Sequence, residues 1–178
     1  MSSFSEARLF EPQLTSFRSQ FPSAEVIGTD LSPIQPAWYV VLCTVKPGSD
    51  TSRTPPNCAF EVDDFESEWA YRKEFDFIHA RELEGCISND DELFRQAYKN
   101  LASNGHIELQ ATYPQFLSDD DTAKKAENAQ FWLKTLIDGL ARFGKPLDNA
   151  IQWKSKLETV GFKNVHQEIR KVCTISIS

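Results

Sequence analysis

The feature that most constrains the fold of this chain is an alternation of short apolar runs with longer amphipathic segments. The apolar runs predict strands over residues 24–29, 57–62, 75–79, 106–113 and 164–172. The amphipathic segments predict helices over residues 11–20, 90–101, 122–143 and 147–160. Because strand–helix–strand units return in parallel, this order predicts an α/β domain with a mostly parallel sheet and helices on both faces.

Glycine-containing breaks set the predicted helix ends. Asn104-Gly105 stops the helix over 90–101, Gly144-Lys145-Pro146 stops the helix over 122–143, and Gly161 caps the last helix. These residue types are typical of helix C-termini. The apolar side predicted for the long helix consists of Phe131, Leu133, Leu136, Ile137, Leu140 and Phe143.

Length and charge limit the classes of function. The chain has 178 residues, enough for one domain, and a formal net charge of -7. The acidic balance argues against nucleic-acid binding, which needs a basic surface. No apolar run is long enough to span a bilayer, and the first ten residues lack the order of a signal peptide. We therefore expect a cytoplasmic or nuclear protein that is neither secreted nor bound to a membrane.

The sequence predicts no metal site. Its four cysteines and three histidines are dispersed and lack metal-ligand spacing. The run Asp119-Asp120-Asp121 directly precedes a predicted helix and is interpreted as a solvated helix start, since carboxylates are favoured at the positive end of the helix dipole.

Polar residues that follow the predicted strands are the candidate site, because ligands of open α/β sheets bind beyond the carboxyl ends of the strands. Asp30 suits a pair of ribose hydroxyls, or else it caps the turn at Ser32-Pro33. Asp63 and Asp64 suit an adenine amine, or else they cap the next helix. His79 and Arg81 face a ligand, or else His79 is a structural hydrogen-bonding group. The residues alone leave each pair of alternatives open.

No known catalytic motif accompanies these residues. The seven glycines form no GxGxxG pattern, and no GxSxG, HExxH or phosphate-binding loop occurs. The residues alone thus predict an α/β domain with a nucleoside site, and they identify no catalytic residue.

Six sequence segments, taken in order, resemble those of one family. They are SQFPSAEVIGTDLSPIQP at 19–36, PPNCAFEVDDFESEW at 55–69, FDFIHARELEGCI at 75–87, NGHIELQ at 104–110, SDDDT at 118–122 and GFKNVHQEIRKV at 161–172. Together they resemble the fungal LaeA-type methyltransferases, a branch of the class I S-adenosylmethionine-dependent fold. The resemblance covers most of residues 19–172 and implies a Rossmann-like sheet.

The resemblance also implies a function and a cofactor, S-adenosylmethionine. Asp30 and Leu31 match the ribose-binding position; Asp63, Asp64 and Phe65 match the adenine motif; His79 and Arg81 match the motif beside the cleft. The implied reaction is methyl transfer in fungal secondary metabolism or its regulation, onto a small-molecule or protein acceptor, with a regulatory protein as a further expected partner. Positioning the two reactants can supply much of the rate of such a reaction.

The sequence departs from the family in three places. The family's first strand and glycine-rich loop are expected just before residue 10, and its last strand after residue 171, so the pattern predicts a domain truncated at both ends and without a cradle for the methionine part of the cofactor. Residues 37–54 are predicted to be an inserted loop. Removing residues 39–53 restores the family phrase, which suggests a retained intron; a genuine surface loop is the alternative.

Two rival functions follow from these departures. The first is a non-catalytic methyltransferase-like remnant or interaction protein. The second is an NAD-dependent oxidoreductase, since an acid after the second strand also suits that cofactor. The missing glycine fingerprint and the VDDFE phrase count against the second.

Overall fold

The computed structural model describes residues 24–31, 58–118, 120 and 122–171. The predicted helix over 11–20 and the predicted insertion over 37–54 lie outside the described residues. The described elements, in chain order, are β1 (Val26–Asp30), β2 (Cys58–Val62), β3 (Phe75–Arg81), α1 (Asp90–Asn100), β4 (Leu101–Gln110), α2 (Thr122–Lys125), α3 (Glu127–Arg142), a 3-10 turn (Asn149–Gln152) and α4 (Trp153–Val160).

The four strands form two parallel pairs. β1 pairs with β2 from Val26 opposite Cys58 to Asp30 opposite Val62. β3 pairs with β4, and the regular part of this register ends with Arg81 opposite Gln110. Both pairings confirm the predicted parallel arrangement. Within the described part of the chain the strands are joined as two pairs, β1–β2 and β3–β4, and no backbone ladder links the pairs.

Side chains connect the two pairs. Ile27 of β1 packs against the buried cluster of Phe75, Ile78 and Ala97. The ammonium of Lys73, just before β3, lies 2.6 Å from a carboxylate oxygen of Glu25, just before β1. This ion pair is exposed and contributes little, so the apolar contact through Ile27 is the stronger link.

Helix α1 covers the β3–β4 pair. Asn89 caps it, with the side-chain oxygen accepting a hydrogen bond from the Glu92 N–H at 3.1 Å. Leu93, Phe94 and Ala97 lie on one side of the helix and are buried. The main core cluster contains the fully buried Phe94 and extends to the C-terminal helix; its members are Phe65, Ala80, Leu83, Ile87, Leu93, Phe94, Trp153 and Leu157.

A buried carboxylate fixes α1 to the C-terminal segment. Asp90 is 5% exposed and accepts hydrogen bonds from Asn149 Nδ2 at 2.8 and 3.0 Å and from Trp153 Nε1 at 3.2 Å. Lys156 Nζ lies 3.3 Å away and supplies a positive charge. Because a buried charge is costly unless it is paired and hydrogen-bonded, these donors hold the helix start in one position.

Strand β4 differs from its prediction at both ends. It begins at Leu101 and ends at Gln110, whereas the sequence predicted residues 106–113. Its first half is irregular: Phe75 pairs with Leu101 and Phe77 with His106, and Asn104 has a φ of 67°. A Cβ on Gly105 would lie 2.9 Å from the Ala102 carbonyl oxygen. The Asn-Gly pair therefore bends the strand, and α1 has already ended at Asn100.

The predicted helix over 122–143 is divided. Ala126, at φ -86° and ψ 52°, separates α2 from α3. The Asp120 carboxylate accepts from the Thr122 N–H at 2.9 Å and so caps the start of α2. The predicted apolar side was partly wrong, since Phe131 and Phe143 are 73% and 85% exposed; the side that includes Leu133 packs inward.

The predictions for residues 147–171 were also partly wrong. The predicted helix over 147–160 begins as a 3-10 turn and becomes α-helical only at Trp153. Gly161, at φ 125°, ends it as predicted. The predicted strand over 164–172 was wrong for residues 164–171, which form no strand: Asn164 has a φ of 56° and Ile169 is 73% exposed. Across the described residues, no helix combines the length and apolarity needed to cross a membrane.

Candidate functional site

The carboxyl end of the β1–β2 pair brings three predicted site residues to one edge. Asp30 is the last residue of β1 and stands opposite Val62, the last residue of β2. Asp63 and Asp64 follow Val62 directly, so the parallel register places them beside the end of β1. Leu31, the next residue after β1, is 56% exposed.

The turn after β2 is shaped by its own acids. Asp63 Oδ1 accepts from the Asp64 N–H, and Asp64 Oδ1 accepts from the Glu66 N–H, both at 2.9 Å. The Ser67 N–H donates to the Asp64 carbonyl at 2.9 Å. Asp64 thus closes a turn; the alternative in which it caps a helix is wrong. Asp63 remains exposed, while the Phe65 side chain is buried in the core and anchors the turn.

An aromatic side chain that sequence reasoning missed lies near these acids. Burial, followed by the negative charges of Asp63 and Glu61, raises the pKa of Tyr71 to about 12. Its ring makes edge-to-face contacts with Trp69, at a centroid distance of 5.8 Å, and with Phe75, at 4.8 Å. The Tyr71 hydroxyl therefore keeps its proton at neutral pH, as a donor next to acidic groups. The closely spaced aromatics of the stretch from 69 to 75 were the available clue.

The β3–β4 pair carries a histidine held by a carboxylate. His79 stands opposite Glu108 in the register, and His79 Nδ1 lies 2.9 Å from Glu108 Oε2. The other carboxylate oxygen accepts from Gln110 Nε2 at 3.0 Å. Burial raises the pKa of Glu108, but the hydrogen bonds from Gln110 and His79 outweigh it and bring the pKa below its ordinary value. Sequence reasoning found His79 and missed Glu108.

The second ring nitrogen of His79 is unsatisfied. His79 is only 5% exposed, and in the described structure its Nε2 is buried and has no hydrogen-bond partner. Buried polar atoms nearly always have a partner, and each exception calls for an explanation. One ring nitrogen of His79, Nδ1, is therefore held by Glu108, while the other, Nε2, has no hydrogen-bond partner in the described structure.

Arg81, the last residue of β3, is held by its neighbour. Its guanidinium lies 3.1 Å from Glu82 Oε1. Glu82 has a φ of 55°, a left-handed conformation that costs free energy in a residue with a side chain. Its N–H donates to the Gln110 carbonyl at 2.8 Å. Two residues on, Glu84 Oε1 accepts from the Thr112 N–H at 2.9 Å, which ties the segment after β3 to the segment after β4.

A shallow groove of about 190 Å³ lies between the segment that follows β4 and helix α3. It has an apolar part and a polar part, and its lining residues are Pro114, Gln115, Gln130, Leu133, Lys134 and Ile137. Within the described ranges, no cluster of three or more histidine, cysteine or acidic residues has a geometry that could hold a metal ion.

Comparison with known sequences identifies the family. The profile of the family described as "Methyltransferase domain" matches residues 10–167. The chain belongs to this methyltransferase domain family. The match includes both strand pairs and every residue of the candidate site.

Curated relatives of this methyltransferase domain are fungal. Methyltransferase pytC of Aspergillus terreus is 31% identical over 147 residues, which are 83% of this chain and 41% of that protein. The secondary metabolism regulator laeA of Aspergillus fumigatus is 25% identical over 154 residues, 85% of this chain and 37% of that protein. The chain thus spans about two fifths of the length of these relatives.

A solved structure shows the fold. Phosphoethanolamine N-methyltransferase 2 of Haemonchus contortus, solved in complex with phosphomonomethylethanolamine and S-adenosylhomocysteine, superposes with a TM-score of 0.59 at 16% identity. The match covers 92% of this chain and 34% of the Haemonchus contortus chain. The methyltransferase domain therefore has the Rossmann-like α/β fold of the class I methyltransferases, as predicted.

Proposed function

We propose that this chain carries the cofactor-binding part of an S-adenosylmethionine-dependent methyltransferase of the LaeA type. The observation that carries the proposal is the edge of the β1–β2 pair, where the register sets Asp30 beside Asp63 and Asp64 in a chain of the methyltransferase domain family. Carboxylates accept hydrogen bonds from hydroxyl and amine groups, so the residues present suit a nucleoside.

The proposal gives each predicted residue a role. Asp30 accepts from the ribose hydroxyls, with Leu31 beside it. Asp63 and Asp64 meet the adenine, on a turn that Phe65 anchors. His79 and Arg81 lie on β3, in the second strand pair, and their proposed role is to meet the cofactor beyond its nucleoside part. When bound, the cofactor supplies an activated methyl group. The described residues bind and orient, and none is assigned as an acid or a base; the catalytic residues stay unassigned.

The proposed acceptor is a small molecule or a protein of fungal secondary metabolism or its regulation. Support comes from the names of the relatives, a methyltransferase and a secondary metabolism regulator, and from the small molecule phosphomonomethylethanolamine that is bound in the Haemonchus contortus complex. The groove beside α3 is lined by apolar side chains such as Leu133 and Ile137 and by the amide side chains of Gln115 and Gln130, which supports a small acceptor with apolar and polar parts.

We also propose that the described elements belong to one domain, into which residues 37–54 are inserted. The family match runs from 10 to 167 and thus extends on both sides of that segment.

The dispersed cysteines support a cytoplasmic or nuclear location. Sequencing the spliced transcript tests the retained-intron origin: its uniform presence in mature message would contradict that origin and favour a true loop.

Calorimetric titration of the purified chain tests the proposed function. We expect S-adenosylmethionine and S-adenosylhomocysteine to bind in the micromolar range, about -8 kcal/mol. Asp30→Ala should abolish binding, while Glu158→Gln, an exposed change on α4, should leave it unchanged. A folded chain that binds neither compound would contradict the proposal and favour the non-catalytic interaction protein.

A further inference from the structure

Glu66 connects the acidic turn after β2 to two distant parts of the chain. Its backbone N–H donates to Asp64 Oδ1 at 2.9 Å. Its side chain accepts from the N–H of Ser88, from the Ser88 hydroxyl at 3.2 Å and from Lys145 Nζ at 2.7 Å. Glu66 thus joins a predicted adenine residue to the segment that follows β3 and to the segment that follows α3.

The end of α3 fixes the position of Lys145. Gly144 has a φ of 74°, which residues with a side chain rarely adopt, and the Lys145 N–H donates to the Leu140 carbonyl at 3.0 Å, as in a Schellman helix ending. The ammonium of Lys145 also donates to the Cys86 carbonyl at 2.7 Å. The ion pair with Glu66 therefore has a more defined geometry than most surface pairs, which must order two free side chains.

The Glu66–Lys145 pair is partly shielded from solvent, with 22% of the Glu66 side chain and 39% of the Lys145 side chain exposed. Burial raises the pKa of Glu66, but the hydrogen bonds from Lys145 and Ser88 and the charge of Lys145 outweigh it and bring the pKa below its ordinary value. Glu66 is therefore ionised at neutral pH, and the hydrogen bonds that it accepts are charge-assisted.

The segment after the acids has anchors of its own. The Phe65 side chain lies in the main core cluster. Trp69 donates twice, from Nε1 to the Phe65 carbonyl at 2.9 Å and from its backbone N–H to Gln96 Oε1 at 2.8 Å. These contacts do not use the Glu66 side chain. Loss of the Glu66–Lys145 pair should therefore change the orientation of Asp63 and Asp64 rather than unfold the domain.

We infer that Glu66 and Lys145 are positioning residues for the adenine end of the proposed nucleoside site. In this assignment Lys145 acts on Glu66, and Glu66 acts on Asp64, so that the turn presents its carboxylates to the adenine amine in one orientation. The inference rests on the proposed function, and it extends the site to a lysine 79 positions after Glu66.

Calorimetric titration of the purified chain with three ligands tests the inference. The ligands are S-adenosylhomocysteine, S-inosylhomocysteine, in which a carbonyl oxygen replaces the adenine amine, and the 2′-deoxy analogue of S-adenosylhomocysteine. The preference for adenine over hypoxanthine reports on the carboxylates of the turn. The preference for ribose over 2′-deoxyribose reports on Asp30 at the end of β1.

The variants are Glu66→Gln, Lys145→Met, the two combined, and the conservative Lys145→Arg. Lys154→Met is the matched control, because it makes the same change at an exposed lysine of α4. Thermal unfolding of each ligand-free protein establishes that it is folded. Glu66→Gln keeps a side-chain oxygen that can accept from Ser88, so it keeps the test valid if Lys145→Met does not fold.

We expect wild type to prefer adenine and ribose by about tenfold each, the scale of a charged hydrogen bond. Glu66→Gln and Lys145→Met should each reduce the adenine preference to about threefold or less and leave the ribose preference unchanged. The combined variant should lose no more than either single variant, because residues that act as a unit are not additive. Lys145→Arg should keep most of the adenine preference, and Lys154→Met should keep both preferences.

Two results would overturn the inference. An unchanged adenine preference in folded Glu66→Gln and Lys145→Met would mean that Phe65 and Trp69 fix the acids without the ion pair. An equal fall of both preferences would mean that the pair supports the whole edge of the sheet. A wild type that binds none of the ligands, or that binds S-inosylhomocysteine as tightly as S-adenosylhomocysteine, would instead contradict the proposed function, and this inference would fall with it.

Discussion

The two strand pairs present their polar residues in opposite ways. At the β1–β2 edge the acids lie in an exposed turn, where Asp63 and Asp64 accept hydrogen bonds from neighbouring backbone N–H groups. On the β3–β4 pair, His79 is buried and meets Glu108 from 29 positions further along the chain. The first arrangement is local and readable from sequence. The second depends on strand register, so only the folded structure reveals it.

The difference extends to how each edge is supported. α1 and α4 pack on the side of β3 and β4, through the core cluster and the buried Asp90. The described contacts of the β1 segment include the packing of Ile27 against Phe75, Ile78 and Ala97 and the exposed ion pair of Glu25 with Lys73. Changes to the core should therefore disturb the β3–β4 pair first, while changes at the acidic turn should affect binding more than stability.

The largest expected effect is on the core under β3 and β4. Phe94 is fully buried, so Phe94→Ala should lower the free energy of unfolding by about 3–5 kcal/mol, through lost apolar burial and the cavity left behind. Urea denaturation followed by circular dichroism measures this. Arg95→Ala, at the next residue and exposed, is the control and should cost less than about 1 kcal/mol. Equal losses in the two variants would contradict the assigned core.

A smaller effect is expected at the buried carboxylate. Asp90→Asn keeps the shape of the side chain but removes its charge, which leaves Lys156 and the Asn149 amide without their full acceptor. The free energy of unfolding should fall by about 1.5–3 kcal/mol. Asp91→Asn, on the exposed neighbour, should change it by a few tenths of a kcal/mol, as is usual for surface ion pairs. If both variants unfold at the same urea concentration, the Asp90 network has no stabilising role.

The histidine–carboxylate pair should make stability depend on pH. The pKa of Glu108 is lower in the folded chain than in the unfolded chain, so its contribution is present above the unfolded pKa, about 4.3, and is lost as pH falls through the folded pKa. Glu108→Gln should remove this contribution, which the exposure of the side chain limits to less than about 1 kcal/mol. Unfolding of both proteins between pH 7 and pH 3 gives the measurement.

The direction in which the stability difference changes with pH checks this prediction. The stability difference between wild type and Glu108→Gln should shrink toward zero at acidic pH. A difference that grows as pH falls would mean that Glu108 is more easily protonated in the folded chain, which would contradict the hydrogen bonds from His79 and Gln110.

Local patterns predicted much of this fold. The strands at β1, β2 and β3 and the glycine stops at Gly144 and Gly161 follow from apolar runs and turn residues, which act over a few positions. The errors lie where distant contacts decide: the Asn104-Gly105 pair bends β4 because β3 pairs on both sides of it, and Phe131 is exposed although its spacing fits an apolar side.

The candidate site divides in the same way. Asp30, Asp63 and Asp64 could be found because an acid directly after a strand is a local pattern. Glu108 could not, because nothing at its position distinguishes it from other exposed acids until the register sets it opposite His79. Tyr71 was missed for a related reason: its burial, which depends on Trp69 and Phe75, is what makes its hydroxyl unusual.

The smallest expected effect concerns the Tyr71 hydroxyl. It tests whether the charge of Asp63 acts on the pKa of Tyr71. Burial is the main cause of the raised pKa of Tyr71, about 12, and the charges of Asp63 and Glu61 add to it. Asp63→Asn removes one negative charge near the phenol and should therefore lower the pKa of Tyr71 by a fraction of the whole shift. Ultraviolet titration of tyrosinate, with circular dichroism recorded in parallel to establish that the chain stays folded, follows this change. Tyr71→Phe identifies the transition that belongs to this residue, and Asp138→Asn, on the exposed side of α3, should leave it in place. If Asp63→Asn and Asp138→Asn give the same titration curve, then Asp63 has no electrostatic effect on Tyr71. The acids of the turn would then interact only with the backbone N–H groups of Asp64 and Glu66.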